Sequence, residues 1–327
     1  MHSPTSAALL GATAVLLVLC QPCAAQTYPT KSIRIVDAFA PGGTTDILGR
    51  LIASKLTPAW GQQVVVENRP GANGIIGSEL VARAAPDGYT MMVGSTATLA
   101  VNQSLYKLKF DPLKDYDAVT MLASQPLILV VHPSVPVQTV TELIALVKKR
   151  PGELAYASPG IGNPLHLAGE LFRVVTQTSM IHVPYNRGSA AAMPDLLGGQ
   201  VQAMFAPTLP VIPHIQSGKL RALAVTGAQR STVEAVKAVP TVREAGVPGY
   251  EVTIWNAMVV PAGTPRDIVG RLNAEVRRIM EMPDIRERLI GGGVLPVTSS
   301  PEEQTRFTLT EVAKWAQVIK EAAIKVE

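Results

Sequence analysis

The chain of 327 residues contains only two cysteines, Cys20 and Cys23, and both fall within its first 25 residues. Beyond that point there is no thiol, which excludes a disulfide framework and a cysteine nucleophile. Aromatic residues are almost as scarce, at 5%, and tryptophan occurs only at positions 60, 255 and 315. A sugar receptor usually needs more stacking surface than that. Charge is modest too. The net value is +4, and the longest basic run, Lys148-Lys149-Arg150, ends a predicted helix, where cations complement the dipole. Nucleic acid is therefore not expected as a partner, whereas a weak positive field suits a small anion. Long apolar runs are also missing. Ala7 to Leu19 falls short of the roughly 20 residues that span a bilayer and leads to a small-residue site, Cys23-Ala24-Ala25. That is a secretory signal pattern with cleavage expected before Gln26, although no Lys or Arg precedes the apolar run. A lipid anchor at Cys20 is the alternative, disfavoured because Leu19 stands where a small residue is usual. The expected product is a soluble periplasmic protein, given a Gram-negative source, with about 300 residues to bury a core unaided.

Catalytic signatures are equally lacking. There is no G-x-S-x-G elbow and no H-E-x-x-H, and the histidines at 132, 166, 182 and 214 do not have metal-ligand spacing. PGANGIIG, residues 70–77, has glycines at 71, 74 and 77. That is the wrong spacing for a dinucleotide loop, and a structural turn accounts for it better. No cofactor, no metal and no enzymatic activity are expected. A secreted α/β hydrolase is a remote alternative, and a sensory receptor a closer one.

What the chain does have is a regular alternation of strand-like and helix-like segments. Ser32–Ala38 reads as strand, followed by a helix with Ile47, Leu48, Leu51, Ile52 and Leu56 on one face. Later helices are expected over Val140–Lys149 behind a Thr139/Glu142 capping box, over Leu165–Thr176, after Thr241, over Arg266–Met282, and after Ser300-Pro301. Such alternation predicts an α/β fold with mostly parallel sheets. The length suggests two domains. No Gly/Ser linker separates them, so strands near 122–129 and 223–227 are expected to cross between lobes. The expected division is a signal peptide over 1–25, lobe 1 over 26–125 and 225–327, and lobe 2 over 126–224.

Glycine and hydroxyl residues gather where strands become helices. In FAPGGTTD, Gly42 and Gly43 permit a close backbone approach, and Thr44, Thr45 and Asp46 open a helix whose free N–H groups suit an anion. No Lys follows the glycines, so the phosphate-loop pattern fails. A tight turn with an N-cap is the plain alternative. GSTAT places Ser95 and Thr96 at another strand end, where α/β sheets bind ligands. SPGIGNPLHLAGELF repeats the design with Ser158, Gly160 and Gly162 before a helix, and His166 lies one turn in, where local packing is the plainer role. VPYNRG brings Tyr185 and Arg187 to a further strand end, where Arg187 is suited to pair with a carboxylate or to sit free on the surface.

Taken together, PGGTTD, GQQVVVENRPGANGIIGSELVARAAPDGYT, the SPGIG loop with HLAGELF and HVPY, LLGGQV, GKLRALAVT, PTVREAGVPGYE and the W…PAGTP segment resemble the Bug family of periplasmic solute receptors. These are the TctC-like receptors of tripartite tricarboxylate transporters. The resemblance runs over residues 28 to 325. It implies a two-lobed Venus-flytrap fold of the type II-like periplasmic-binding-protein kind, holding a small carboxylate ligand between its lobes. The implied partners are membrane transporter subunits, and the protein is expected to be a monomer. By position, the implied ligand-binding residues are Gly42, Gly43, Thr44, Thr45, Asp46, Ser95 and Thr96 from one lobe. The other lobe contributes Ser158, Gly162, Asn163, His166, Tyr185 and Arg187. Three departures stand out. Asn186 looks like an inserted residue before Arg187, Ala206-Pro207 replaces an expected aspartate after Phe205, and Asn256-Ala257 follows Trp255 where Tyr-Gly or Phe-Gly is common. If that aspartate reads an amino group, its loss disfavours amino acids.

Overall fold

The computed structural model describes residues 28–185 and 189–325. The expected signal segment with its cysteines, and Arg187, lie outside the described residues. In chain order the elements are β1 (Ile33–Asp37), α1 (Thr44–Trp60), β2 (Val64–Asn68), α2 (Ile75–Ala82), β3 (Thr90–Ser95), α3 (Asn102–Leu105), β4 (Tyr116–Val131), α4 (Val140–Lys149), β5 (Ala155–Ser158), α5 (Pro164–Thr176), β6 (Ile181–Pro184), α6 (Ser189–Leu197), β7 (Ala203–Pro207), α7 (Thr208–Gln216), β8 (Arg221–Val225), β9 (Thr253–Pro261), α8 (Arg266–Met280), α9 (Pro283–Gly291), β10 (Leu295–Pro296) and α10 (Pro301–Glu321).

Two sheets share one long strand. Over Tyr116–Pro126, β4 pairs antiparallel with β9; beyond that it pairs antiparallel with β7 from Leu127 to Val131 and with β8 from Ile128 to Val131. The first sheet runs β2-β1-β3-β9-β4, with β10 also on β4. The second is built from β4, β7, β5 and β6, with β8 on the other side of β4. This is a two-lobed α/β fold in which the chain crosses along strands. The crossing point is clasped by Thr226, whose hydroxyl donates to the Val252 carbonyl at 2.6 Å and accepts from the Leu127 N–H at 2.8 Å. One buried side chain thereby ties three crossing segments together.

The sheets are mixed rather than mostly parallel. β1–β2, β1–β3, β5–β6 and β5–β7 are parallel, whereas every pairing of β4 and β9 is antiparallel. Strands that carry the chain out to a second lobe and back must run in opposite directions, which the helix–strand alternation does not reveal. Two helix expectations also change. Thr241 and Glu244 make the reciprocal capping bonds, but only a turn follows, because Gly246 adopts a left-handed φ of 98° and Pro248 follows it. The helix expected over Arg266–Met282 stops at Met280, and Pro283 opens α9.

Apolar residues divide by face. On one face of the first sheet, α1, α8 and α9 cover Ile35, Met91, Val93, Met258 and Val260. A second core starts on the opposite face beneath α2 and α10 and continues into the second lobe through Trp255, Trp315, Phe172, Tyr250 and Phe205. The carboxylate of Glu311 lies inside this core and accepts from the indole N–H groups of both Trp255 (2.9 Å) and Trp315 (3.1 Å).

Candidate functional site

Strand direction decides where a ligand can sit. β3 is antiparallel to β9, and β9 to the first half of β4, so β3 and β1 point their carboxyl ends the way β4 travels, toward the second lobe. β7 is antiparallel to the second half of β4, and β5 and β6 are parallel to β7. Their carboxyl ends point back toward the first lobe. The loops Phe39–Asp46, Ser95–Thr98, Ser158–Asn163 and Pro184–Tyr185 therefore converge on the space between the lobes, which is where open α/β sheets place ligands. The lobes meet there. A side chain at Gly162 would run into Leu105 of α3.

The first loop is set by carboxylates below it. Gly42 has φ 90° with open space where a Cβ would stand, so its conformation and not crowding calls for glycine. Gly43 caps α1 without a side-chain bond, which leaves the first-turn N–H groups of a 17-residue helix for another acceptor. Asp46 is buried and fully engaged. Its Oδ2 accepts from the Gly42 N–H (3.0 Å) and from Arg50 Nε (2.9 Å), and its Oδ1 accepts from Asn68 Nδ2 (3.0 Å). Arg50 and these hydrogen bonds hold the Asp46 carboxyl down at about 2. Beneath it, Asp37 at the end of β1 accepts from the Phe39 N–H (3.1 Å) and from the same Asn68 amide (3.0 Å), with the buried Thr45 hydroxyl nearby favouring its charged form. Burial outweighs these bonds and pushes Asp37 up to about 6. Of the two threonines, Thr45 thus faces inward to Asp37, while Thr44 is half-exposed at the mouth of the loop.

The second loop rests on histidines. Ser158 Oγ lies 2.6 Å from His182 Nε2 and also bonds both backbone groups of Gly160. His166 Nδ1 accepts from the Gly162 N–H at 3.2 Å, and the His166 and His182 rings sit 4.0 Å apart. Burial first, then His182 and Arg173, lower His166 to about 3; burial likewise lowers His182. Asn163 Oδ1 accepts from the Leu165 N–H as N-cap of α5, and Pro164 takes the first helical position.

Several expected residues have their polar atoms already engaged. The Thr96 hydroxyl accepts from the Trp255 N–H at 2.8 Å and lies 3.3 Å from the Trp255 carbonyl, so it fastens the hinge strand β9. The Ser95 N–H and hydroxyl turn to Thr98. Tyr185 donates its hydroxyl to Asp195 Oδ2 at 2.6 Å, and burial followed by that carboxylate raises it to about 12.

Two glycine-bearing helix entrances facing each other across a strand hinge are a receptor's geometry, and comparison with known proteins agrees. The family model described as "Tripartite tricarboxylate transporter family receptor" matches residues 48–324. The chain belongs to this TctC family of receptors. It is 37% identical over 322 residues to protein BugT of Bordetella pertussis, covering 98% of each chain. Among solved structures, Rpa4515 of R. palustris with adipate superposes with a TM-score of 0.80 at 37% identity, over 91% of this chain and 99% of that one. MatC from Rhodopseudomonas palustris with bound malate gives 0.77 at 32%, over 89% and 100%.

In this TctC receptor the sequence reading did not single out Asp37, Arg50, Asn68 or His182, all of which support the loops from below. Asn68 lies inside the motif VENRPG, yet its role is visible only once β2 pairs with β1 and brings it opposite Asp37. His182 was visible only as one histidine among several, until β6 paired with β5 and set it beside Tyr156, within reach of Ser158.

Proposed function

We propose that this chain is a periplasmic receptor that captures a small dicarboxylate between its lobes and presents it to membrane transporter subunits, acting as a monomer and without catalysis. The lobe limits we adopt are 26–125 and 225–327 for one lobe and 126–224 for the other. The observation that carries the reading is the facing pair of helix entrances, at Gly42–Thr45 and at Ser158–Asn163. The first offers first-turn N–H groups and the half-exposed Thr44 hydroxyl, while at the second the Ser158 hydroxyl and the Gly160 and Gly162 N–H groups, bonded within their loop, would turn to the ligand. Such donors hold an anion without a buried ion pair and so permit release. Relatives of similar length hold adipate and malate, both dicarboxylates, and two entrances suit two carboxylates.

An amino acid fits less well. Asp37 and Asp46 are engaged within the first loop, Asp195 with Tyr185, and Ala206 is a buried rung of β7 opposite Ile128. No carboxylate among these is left to read an ammonium group. Isothermal titration with adipate, malate and a neutral diamide tests the proposal. A ligand at a hundred times its Kd should also add about 2.7 kcal/mol to stability. Thr44→Val should weaken binding at least tenfold without lowering the melting temperature. An unchanged affinity would remove the first loop from the site, and preference for the diamide would overturn the carboxylate reading.

A further inference from the structure

A second cavity lies beside the hinge, away from the two helix entrances. Its volume is about 590 Å³, within the size range of small-molecule sites. Both hinge strands line it, β4 through Met121, Ser124 and Pro126 and β9 through Thr253 and Trp255, together with Thr208 at the start of α7. One side is closed by the chain leaving β8, Gly227 to Val233, and the other by β10 and the start of α10.

Its chemistry differs from that of the clamp. An aromatic ring is accessible in it: Phe307, which meets the fully buried Trp255 edge-on with ring centres 5.2 Å apart. Phe307 and Val297 remain 36% and 39% exposed at the mouth. The hydroxyls of Ser124, Thr253 and Thr298 make no side-chain hydrogen bond to another described residue. The rim carries one cation and two carboxylates. Arg230 is bonded to Glu244 (2.9 Å), and Glu303 accepts from the Ser300 N–H (2.8 Å). Glu251 stands exposed at the rim with no ion-pair partner among the described residues. The exposed Phe307 ring, unengaged hydroxyls and a net negative rim select against a carboxylate. They suit a compact aromatic molecule carrying a hydroxyl or an amine.

We propose that this hinge-side cavity is a second small-molecule site, taking an amphipathic aromatic alcohol or amine and distinct from the carboxylate clamp. The neutral amine N-phenyl-1-naphthylamine, whose fluorescence rises in an apolar site, is the probe. Titrated into the purified exported chain, it should bind saturably with one-to-one stoichiometry. Val297→Trp fills the mouth from an exposed position and should weaken binding at least tenfold. Phe307→Ala removes the accessible ring and should weaken it in the same direction. Thermal melts of both variants check that the fold is intact. Thr44→Val, which alters only the clamp, should leave the dye affinity unchanged. Absence of saturable binding, parental affinity in both cavity variants, or loss of dye binding in Thr44→Val would each overturn the assignment. These readouts need no carboxylate ligand, so they stand or fall apart from the clamp proposal.

Discussion

Gly162 is a point where the two lobes touch across the clamp, and replacing it with alanine separates two physical effects. Its φ is 76°, in the left-handed region, where a Cβ costs roughly 1–2 kcal/mol. The new methyl would also occupy the space held by the end of the Leu105 side chain, and forcing that side chain off its rotamer costs about 1 kcal/mol more. Gly162→Ala should therefore destabilise the protein by about 2–3 kcal/mol. Leu105→Ala removes the clash but leaves the backbone penalty. The double variant should accordingly be more stable than the sum of the single losses predicts, by about 1 kcal/mol. Urea denaturation of the parent, both single variants and the double variant measures this coupling directly. If the two losses add to within about 0.4 kcal/mol, Leu105 does not rest on Gly162 in solution. The lobes would then not meet at the clamp as described.

Two further outcomes follow from buried polar groups. Glu311→Ala leaves the indole N–H groups of Trp255 and Trp315 unpaired inside the core, at about 1–3 kcal/mol each. Glu311→Gln keeps an acceptor and should recover most of the loss, as read by chemical denaturation with tryptophan emission. Acid should also weaken the fold through the histidine pair. His166 and His182 are held neutral with lowered pKa values, whereas unfolded histidine protonates near 6.5. Below that pH the unfolded chain binds more protons, so stability should fall as pH drops from about 6.5 toward 3, by up to about 1.4 kcal/mol per unit for each histidine. His166→Phe should flatten that slope between pH 4 and 6.5; an unchanged slope would show that His166 is not buried neutral.

The legible parts of this molecule were those governed by local chemistry. The Thr139 and Ser300 caps, Pro164 and Pro301 at helix starts, and the glycine loops at Gly42 and Gly162 all appear where their residue types require them. Helices α6 and α7 were not legible, because Pro194 and Pro213 inside them read as breakers. The start of β4, Tyr116–Met121, escaped notice for another reason. YDAVTMLASQ has no clean alternation, since register shifts against β9 interrupt its pleat at Ala118–Thr120 and Met121–Ala123. At the site, the loops could be read from their own residues, but the groups beneath them could not. Asp37 and Asn68 are 31 positions apart and meet only through strand pairing. Thr96 looked like a free donor because nothing local shows that Trp255, 159 residues away, takes its hydroxyl.

The clamp presents N–H groups to an anion, yet it is built over two carboxylates, and that arrangement gives binding a definite pH dependence. Asp46 is bonded on both oxygens and ionised down to about 2, so its charge is constant in any working buffer. Asp37 is different. Burial raises it to about 6, with the Asp46 charge adding to the shift. A bound dicarboxylate would bring more negative charge to the loop directly above, and like charge raises a carboxyl further. Binding should then take up a fraction of a proton near pH 6, and affinity should rise as pH falls from 7.5 to 5.5 while the ligand stays ionised. The same group affects stability with a matching sign. Its folded pKa lies above its unfolded one, so its contribution is complete below about 4 and is lost as pH rises through about 6. Calorimetry in buffers of different ionisation enthalpy counts the proton, and Asp37→Asn should abolish both the uptake and the pH trend. Affinity that falls on acidification over that range, or proton uptake that survives in Asp37→Asn, would show that Asp37 does not sense the anion.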